Sequence, residues 1–249
     1  QYIEKVSEEI GAVLASREDF LTVSIRSTVM PGTNKKIIGI IEQSSGKKHD
    51  VDFAVVSNPE FLREGNAIDD FFSPPYTVIA SYSPKGVQKL SELYSFLDSP
   101  IEDVEVEAAE LIKLLNNSFH ALKVAFGNEV GRICKGLNVD SHKLMDLFVK
   151  DTQLNISPTY LKPGFSYGGS CLPKDLIALN SIAHDQYLKL PIIEAVSSSN
   201  TIHTDFVYDK IIRSGKTKVG IYGLSFKAGT DDLRYSPSLE VVERLIGKG

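Results

Sequence analysis

The sequence predicts an α/β protein in which a parallel sheet with helices is followed by a helical middle region and the start of a second α/β domain. Short apolar segments alternate with helical patterns over residues 1–99. An amphipathic pattern then continues from Val104 to about Leu137, and an apolar segment ending in glycine returns at 218–223. Strands that alternate with helices are typical of parallel sheets, which is why the first and last regions are assigned to this class.

The composition is that of an ordinary globular protein. The 249 residues include 42% hydrophobic and 24% charged side chains, with a formal net charge of −5. That charge argues against a nucleic-acid surface, and the apolar runs are too short to span a membrane. The two cysteines, Cys134 and Cys171, do not suggest a disulfide scaffold, so we expect a reducing, cytoplasmic location. Cys134 lies in a helical pattern and is predicted to be buried.

The first domain is predicted over residues 1–99 and opens on a helical pattern near Ile3 and Ile10. The predicted strands are 21–26, 52–56 and 76–80, and the predicted helices are 35–43 and 85–97. Ligands bind at the carboxyl ends of strands in such sheets, so the segments that follow these strands are candidates for a site.

The middle domain is predicted over residues 100–214 and is helical. Its longest helix carries an apolar stripe with spacings of three and four residues that includes Ile112, Leu115 and Phe119. Further helices are predicted at 141–149, 176–184 and 192–213. The third domain is predicted over residues 215–249, with a strand at 218–223 and a helix at 238–245.

Cys171 lies in the segment Gly168-Gly169-Ser170-Cys171-Leu172-Pro173-Lys174-Asp175. Pro173 suits the first position of a helix, which would place Cys171 just ahead of a helix N-terminus. Partial positive charge there, together with Lys174, favours a thiolate. Asp175 would share the first turn, and the two glycines would let a substrate approach the backbone. On these residues alone, a buried cysteine after a glycine turn is an equal alternative.

The segment Asn58-Pro59-Glu60-Phe61-Leu62-Arg63-Glu64 directly follows the second strand. Asn58 is predicted to cap a helix that starts at Pro59. Glu60 and Glu64 would then lie at i and i+4 on one face. Paired carboxylates there would suit acid/base chemistry or the binding of sugar hydroxyls, whereas a capped surface helix with solvated acids is the alternative.

A polar stripe runs along one face of the long predicted helix. It consists of Lys113, Asn117, His120 and Asn128, which fall within a sector of about 80° around the helix axis. Lys113 and Asn117 together would suit the stabilisation of an oxyanion. A solvated polar face is the alternative.

Two further polar segments follow predicted strands. Ser27 and Thr28 form a hydroxyl pair after the first strand. Lys227 and Arg234, in the segment 226–234, are candidates for anion binding, unless this segment is only a polar connection.

These segments, in the order in which they occur along the chain, resemble the motifs of the UDP-glucose/GDP-mannose dehydrogenase family. The resemblance covers nearly the whole chain and rests on segments 27–33, 58–65, 109–113 with Asn117, 168–175 and 223–234. It implies Rossmann-like first and third domains, NAD as cofactor and a nucleotide sugar as substrate. It also implies a four-electron oxidation of the sugar C6 alcohol to the uronate through a thiohemiacetal and a thioester on a cysteine. A homodimer that packs through the long central helix is implied as well.

The resemblance assigns a role to each candidate residue. The implied catalytic residues are Cys171 as nucleophile, Lys113 and Asn117 for the oxyanion and a water, Asp175 in support, Glu60 as acid/base, and Thr28 near the water. The implied NAD contacts are Ser27, Thr28, Glu64, Lys174 and Arg234. The implied contacts of the nucleotide sugar are Glu60, Phe61, Leu62, Glu64, Lys113, Asn117, His120, Asn128, Tyr160, Lys162, Phe165, Gly168, Phe226 and Lys227. No metal site is implied.

Fewer residues indicate which sugar is the substrate than indicate which reaction takes place. His120, Asn128 and the segments 172–175 and 226–232 are closer to the GDP-mannose branch, with UDP-glucose as the alternative. Thr159 and Tyr235 depart from the residues usual at their positions in the family.

Two functions from other classes stay open. One is a dimerisation and sugar-nucleotide-binding module without chemistry. A simple cysteine hydrolase is less favoured, because no histidine lies in an obvious motif with Cys171.

The family holds the NAD pyrophosphate with a glycine-rich turn that would lie before Gln1, and the sequence does not contain it. Most of the third domain, which would lie after Gly249, is not in the sequence either. We therefore expect an interior piece of a longer protein and negligible turnover by this piece alone.

Overall fold

The computed structural model describes residues 2–63, 65–161, 163–226 and 229–248. It divides into two compact units, Gln1–Ala121 and Leu122–Gly249. The longest described helix begins in the first unit and ends in the second.

The first unit alternates helices with short strands, as predicted. Its elements are α1 (Tyr2–Leu14), β1 (Leu21–Ile25), α2 (Thr33–Ser45), β2 (Phe53–Ser57), α3 (Ala67–Phe72), β3 (Thr77–Ile79), α4 (Pro84–Leu93), β4 (Ile101–Asp103) and the beginning of α5 (Val106–Gly136). The predicted strands and helices of this region are confirmed to within a few residues. The sequence did not predict α3 or β4, because six and three residues are too short to show a periodic pattern.

The strands of the first unit form two parallel pairs. β1 pairs with β2, and β3 pairs with β4. Ser57 and Ala80 join the pairs, because each backbone N–H donates to the other residue's carbonyl oxygen, at 2.7 and 2.9 Å. The carboxyl ends of β1 and β2 therefore lie beside each other, at the edge where ligands bind in parallel sheets.

Strand β2 is buried on both faces. Phe53 and Val55 belong to an apolar cluster with side chains of α1 and α2, whereas Ala54 and Val56 belong to a second cluster with Ile79 and side chains of α4. Alternate residues of a strand point to opposite faces, so this sheet is covered by helices on both sides. Such burial explains the continuous apolar sequence of the strand.

The second unit is helical over most of its length. It contains the end of α5, followed by α6 (Ser141–Phe148), α7 (Cys171–Asp185), α8 (Pro191–Arg213) and α9 (Pro237–Gly247). Ile133 of α5, Ala183 of α7, and Leu190 and Ile193 at the start of α8 form its apolar core. The predicted helices of the middle domain are confirmed, as is the burial of Cys134.

The predicted strand at 218–223 is wrong, because these residues adopt no regular structure and are exposed. Val219 and Ile221 lie on the surface rather than in a core. A strand needs a neighbour to bond its backbone N–H and carbonyl groups, and no strand occurs in the described part of this unit. The helix that was predicted to follow does form as α9, with Ser236 as its cap.

The domain boundaries inferred from the sequence, 1–99, 100–214 and 215–249, stay predictions. Within the described residues, we find no helix with the length and apolar character needed to cross a bilayer.

Candidate functional site

The loop after β1 brings two exposed hydroxyl groups, those of Ser27 and Thr28, to the carboxyl end of the strand. The loop ends at Gly32, whose φ of 91° lies in the left-handed region that favours glycine. Ser27, Thr28 and Lys113 are among the residues that line one small cleft. Two of the predicted contact residues therefore lie beside the lysine of the predicted polar stripe.

Glu60 and Lys113 form an ion pair, with Lys113 Nζ 3.0 Å from Glu60 Oε1. The other carboxylate oxygen, Oε2, accepts a hydrogen bond of 2.6 Å from the backbone N–H of Leu62. Burial by itself would raise the pKa of Glu60, but the Leu62 hydrogen bond and the Lys113 ion pair outweigh it and lower the pKa. Glu60 is consequently a carboxylate at neutral pH, as a general base must be.

The predicted helix from Pro59 is wrong, because residues 58–63 have no regular structure and α3 begins only at Ala67. The Asn58 side chain does not cap a helix. Its Nδ2 donates to Val78 O at 2.8 Å, and its Oδ1 accepts from Tyr94 Oη at 2.8 Å. The side chain is thus engaged with β3 and with the residue that ends α4, and the segment has no regular structure where Glu60 meets Lys113.

A cleft of about 360 Å³ opens beside this ion pair. The predicted substrate contacts among its lining residues are Glu60, Phe61, Leu62 and His120. The ring of Phe61 packs edge to face on Tyr76, with centroids 5.4 Å apart. Tyr76 in turn accepts a 3.4 Å hydrogen bond from Asn116 Nδ2. Apolar walls with a few polar groups are typical of small-molecule sites.

The polar stripe does lie on one helix, since α5 contains Lys113, Asn117, His120 and Asn128. Lys113 is largely covered and faces Glu60, whereas Asn117, His120 and Asn128 are exposed. Asn128 falls in the second unit, so the first unit brings together only the other three.

Sequence reasoning missed two residues of this region, Arg26 and Glu110. Arg26 lines the larger cleft, donates hydrogen bonds to Asn58 Oδ1 and Tyr94 Oη, and lies over the ring of Phe71. Glu110 is a buried carboxylate on α5. The signal for Glu110 was its position next to Ala109 and three residues before Lys113, which puts an acid on the face of the helix that meets the sheet.

Cys171 is the first residue of α7 and is exposed. The helix starts five residues before the predicted span 176–184, and Pro173 is its third residue rather than its first. This position is compatible with proline, because the N–H groups of the first turn have no partner within the helix. Asp175 lies four residues on in the same helix, and its carboxylate is 3.6 Å from Lys174 Nζ.

Gly168 and Gly169, directly before this helix, are buried. Gly169 has a φ of 83°, and its N–H donates to the carbonyl oxygen of Arg234 at 3.1 Å. A Cβ added at Gly169 would lie 2.8 Å from the ring of Phe226. The ring of Phe226 and the backbone of Arg234 therefore occupy the space beside Gly169 that the sequence assigned to a substrate.

Gly168→Ala is expected to destabilise the protein by about 2 kcal/mol through overpacking. The added Cβ would lie 2.4 Å from Tyr235 O and 2.7 Å from Pro237 Cδ. Gly164→Ala is the matched control, because nothing lies within 4 Å of its added Cβ. The urea midpoint of the full-length protein measures the difference, and equal midpoints for the two variants would contradict this packing.

Arg234 lies near Cys171 but is held by Asp232. Its Nε and Nη2 donate to the two carboxylate oxygens at 2.9 and 2.7 Å. The hydrogen bond to Asp232 is the largest of the causes that raise the Arg234 pKa, and Cys171 contributes the least. The same bond lowers the Asp232 pKa to about 2. An anion that binds Arg234 would have to share it with this carboxylate.

The remaining predicted substrate contacts lie in the second unit. Tyr160 is exposed and has a φ of 66°, and Phe165 is exposed with its ring 6.4 Å from that of His203. Glu64, Lys162 and Lys227 lie outside the described residues. No cluster of three His, Cys, Asp or Glu side chains suited to a metal ion occurs among the residues that are described.

Comparison with protein families decides the relationship. Residues 1–98 match the NAD binding domain of the UDP-glucose/GDP-mannose dehydrogenase family, and residues 107–202 match its central domain. The chain belongs to the UDP-glucose/GDP-mannose dehydrogenase family. The resemblance that the sequence motifs suggested is thereby confirmed, as is the assignment of the first domain to a NAD-binding type.

Relatives within the UDP-glucose/GDP-mannose dehydrogenase family cover the whole chain. GDP-mannose 6-dehydrogenase of Azotobacter vinelandii is 47% identical over 249 residues, which are 100% of this chain and 57% of the relative. UDP-glucose 6-dehydrogenase of Rickettsia bellii is 39% identical over 99% of this chain and 56% of its own length. The chain thus spans little more than half the length of the relatives that it matches.

A solved structure shows the same fold. It is the ternary complex of GDP-mannose dehydrogenase from Pseudomonas aeruginosa, with a TM-score of 0.97 and 47% identity. The match covers 100% of this chain and 57% of that one. The predicted α/β class, with a Rossmann-like first domain and a long central helix, is confirmed.

Proposed function

We propose that the protein containing this chain is an NAD-dependent GDP-mannose 6-dehydrogenase, which oxidises the C6 alcohol of the sugar to a carboxylate. The observation that carries the proposal is the identity over the whole chain, which is 47% to a GDP-mannose 6-dehydrogenase and 39% to a UDP-glucose 6-dehydrogenase. The proposal is also supported by those of the proposed catalytic and binding residues that the structure describes.

NAD, when bound, takes up the hydrides released from C6 in the two oxidations. The exposed hydroxyls of Ser27 and Thr28 at the carboxyl end of β1 fit this cofactor, because parallel sheets bind ligands at that edge. We assign further contacts to Lys174 and Arg234, two exposed cations suited to phosphate oxygens.

We propose that Cys171 is the nucleophile. Its thiolate adds to the aldehyde carbon at C6, the carbonyl oxygen takes up a proton, and a thiohemiacetal results. Oxidation of this species gives a thioester, which water cleaves to release the acid and return the thiolate. The exposure of Cys171 at the N-terminus of α7 supports this role, because a nucleophile must be accessible to its substrate.

We assign stabilisation of the oxyanion to Lys113 and Asn117, and proton transfer from the hydrolytic water to Glu60. A fixed cation next to developing negative charge lowers the barrier, and the lowered pKa of Glu60 keeps its carboxylate ionised, which is the form in which a base accepts a proton. Asp175 supports Cys171 from the same turn of α7, and Thr28 lies near the water in this proposal. The cleft residues Phe61, Leu62 and His120 would bind the sugar, as would Glu60.

Substrate selectivity tests the proposed function. We expect kcat/KM of the full-length protein for GDP-mannose to exceed that for UDP-glucose by at least about 100-fold, because polar groups that bind one base are left unpaired by another. Steady-state rates of NADH formation measure the ratio, and the yield should be two NADH for each uronate. A ratio near unity or in favour of UDP-glucose would refute the assignment of GDP-mannose.

We also propose a homodimer that packs through α5. Leu115 and Phe119 are 53 and 42% exposed although they belong to the apolar stripe of this helix. Exposed apolar stripes of this kind are typical of interfaces. Light scattering on the full-length protein is expected to give the mass of a dimer, and Leu115→Glu should shift it toward a monomer. A monomeric wild-type protein would contradict the proposal.

A further inference from the structure

We infer that Glu110 is a positioning residue, which holds the loop 27–32 and the start of α2 in the arrangement that NAD binding requires. The inference rests on the proposed function, which assigns NAD contacts to Ser27 and Thr28. Glu110 belongs to none of the predicted catalytic, cofactor or substrate contacts, so its role is additional to them.

The carboxylate of Glu110 joins α5 to the loop through two short hydrogen bonds. Gly32 N–H donates to Oε2 and Asn34 N–H donates to Oε1, each at 2.6 Å. Glu110 is 3% exposed, its bond to Asn34 N–H is buried, and its bond to Gly32 N–H is partly buried. Hydrogen bonds to a buried carboxylate are stronger than those between neutral groups, and leaving such a group without its partners is costly.

The start of α2 depends on this carboxylate because it has no side-chain cap of its own. Its cap residue is Gly32, which has no side chain to accept a hydrogen bond. The first N–H groups of a helix need acceptors from outside it, and negative charge is favourable at that end. Glu110 supplies both from a helix that is remote in sequence.

Glu110 lies one helical turn before Lys113, to which the proposed function assigns stabilisation of the oxyanion. Lys113 follows Glu110 by three residues and pairs with Glu60. Thr28, Glu110 and Lys113 are among the residues that line the small cleft at the end of β1. Glu110 therefore fixes the distance between the Thr28 loop and the ion pair from within one helical turn.

A second bond secures the start of α2 against the sheet. Asn34 Nδ2 donates to Ser57 Oγ at the end of β2, at 3.0 Å. The loop is thereby held between the sheet and α5, and loss of the Glu110 bonds leaves it attached on one side only. We expect the loop to lose order before the sheet does.

Glu110→Gln in the full-length protein tests the inference. The glutamine keeps one acceptor oxygen, but its amide nitrogen then faces a backbone N–H, so one bond is lost. We expect the dissociation constant for NAD to rise about tenfold, with that for GDP-mannose changed by less than about twofold, both by calorimetry. Backbone amides of residues 27–36 should also exchange with solvent faster.

Glu129→Gln is the matched control. Glu129 is also buried on α5 and accepts hydrogen bonds from Ile192 N–H and Ile193 N–H, at 2.9 and 3.1 Å. It thus supports the N-terminus of α8, as Glu110 supports that of α2. The two variants should lose similar thermal stability, but only Glu110→Gln should weaken NAD binding.

Unchanged NAD affinity in Glu110→Gln, or an equal loss in Glu129→Gln, would overturn the inference. If Glu110→Gln does not fold, Glu110→Asp decides: its shorter carboxylate should weaken NAD binding, and wild-type affinity would overturn the inference. A wild-type protein that binds NAD but does not oxidise GDP-mannose would refute the proposed function and leave the Glu110 comparison valid. Absence of NAD binding by the wild-type protein would refute both.

Discussion

Cys171→Ser in the full-length protein is expected to lower uronate formation by about 10⁴-fold or more, because a serine hydroxyl ionises far less readily than a thiol and is a poor nucleophile at neutral pH. The proposed thiohemiacetal and thioester cannot form without the thiolate. Since Cys171 is exposed at the start of α7, the substitution leaves the packing of the unit unchanged. Uronate is measured by chromatography after incubation with GDP-mannose and NAD.

Cys134→Ser is the control for this substitution. Cys134 is 2% exposed and lies in the last turns of α5. The same change of sulfur to oxygen there should affect stability but keep uronate formation near the wild-type rate. Normal uronate production by Cys171→Ser would contradict the role of the nucleophile, and so would an equal loss in folded Cys134→Ser.

Lys113→Met is expected to lower kcat by about 10²- to 10³-fold, the range seen when one group that stabilises an oxyanion is removed. Methionine keeps most of the length of the side chain without its charge. The Glu60 carboxylate also loses its partner at 3.0 Å. Steady-state kinetics with GDP-mannose measure the loss.

The pH profile of the same variant should also move. Burial, which raises the pKa of Glu60, would then be opposed mainly by the Leu62 backbone N–H, so the pKa rises. A general base acts in its ionised form, and the acidic limb of kcat therefore shifts to higher pH. Lys135→Met, an exposed lysine in the last turn of α5, should change neither quantity. Wild-type kcat and profile in Lys113→Met would contradict the role of this lysine.

Local pattern was enough to predict most of the fold. The buried strand β2 is apolar throughout and the long helix α5 carries a regular stripe, so burial and periodicity identify both. The pattern at 218–223 resembles a strand equally well, yet no strand forms there. The two segments differ in whether a neighbouring strand is present. β2 pairs with β1, whereas residues 218–223 have no partner strand among the described residues.

The site was predictable in its residue types but not in its connections. Lys113 and Asn117 lie on one helix, as the spacing indicates. The pairing of Lys113 with Glu60 joins segments remote in sequence, and no local pattern encodes it. The helix predicted after Asn58 failed for the same reason, since that side chain is engaged by Tyr94 and Val78 from other elements.

Covalent attachment of the sugar carbon to Cys171 is the central claim, and mass spectrometry of a quenched reaction tests it most directly. Glu60→Gln in the full-length protein should slow hydrolysis of the thioester, so that it accumulates during turnover of GDP-mannose with NAD. After acid quench and digestion, the peptide that contains Cys171 is expected to carry the GDP-mannuronyl group, and Cys171→Ser should show no adduct. Formation of the acid with Cys171 unmodified throughout the time course, or an adduct on a different residue, would contradict the claim.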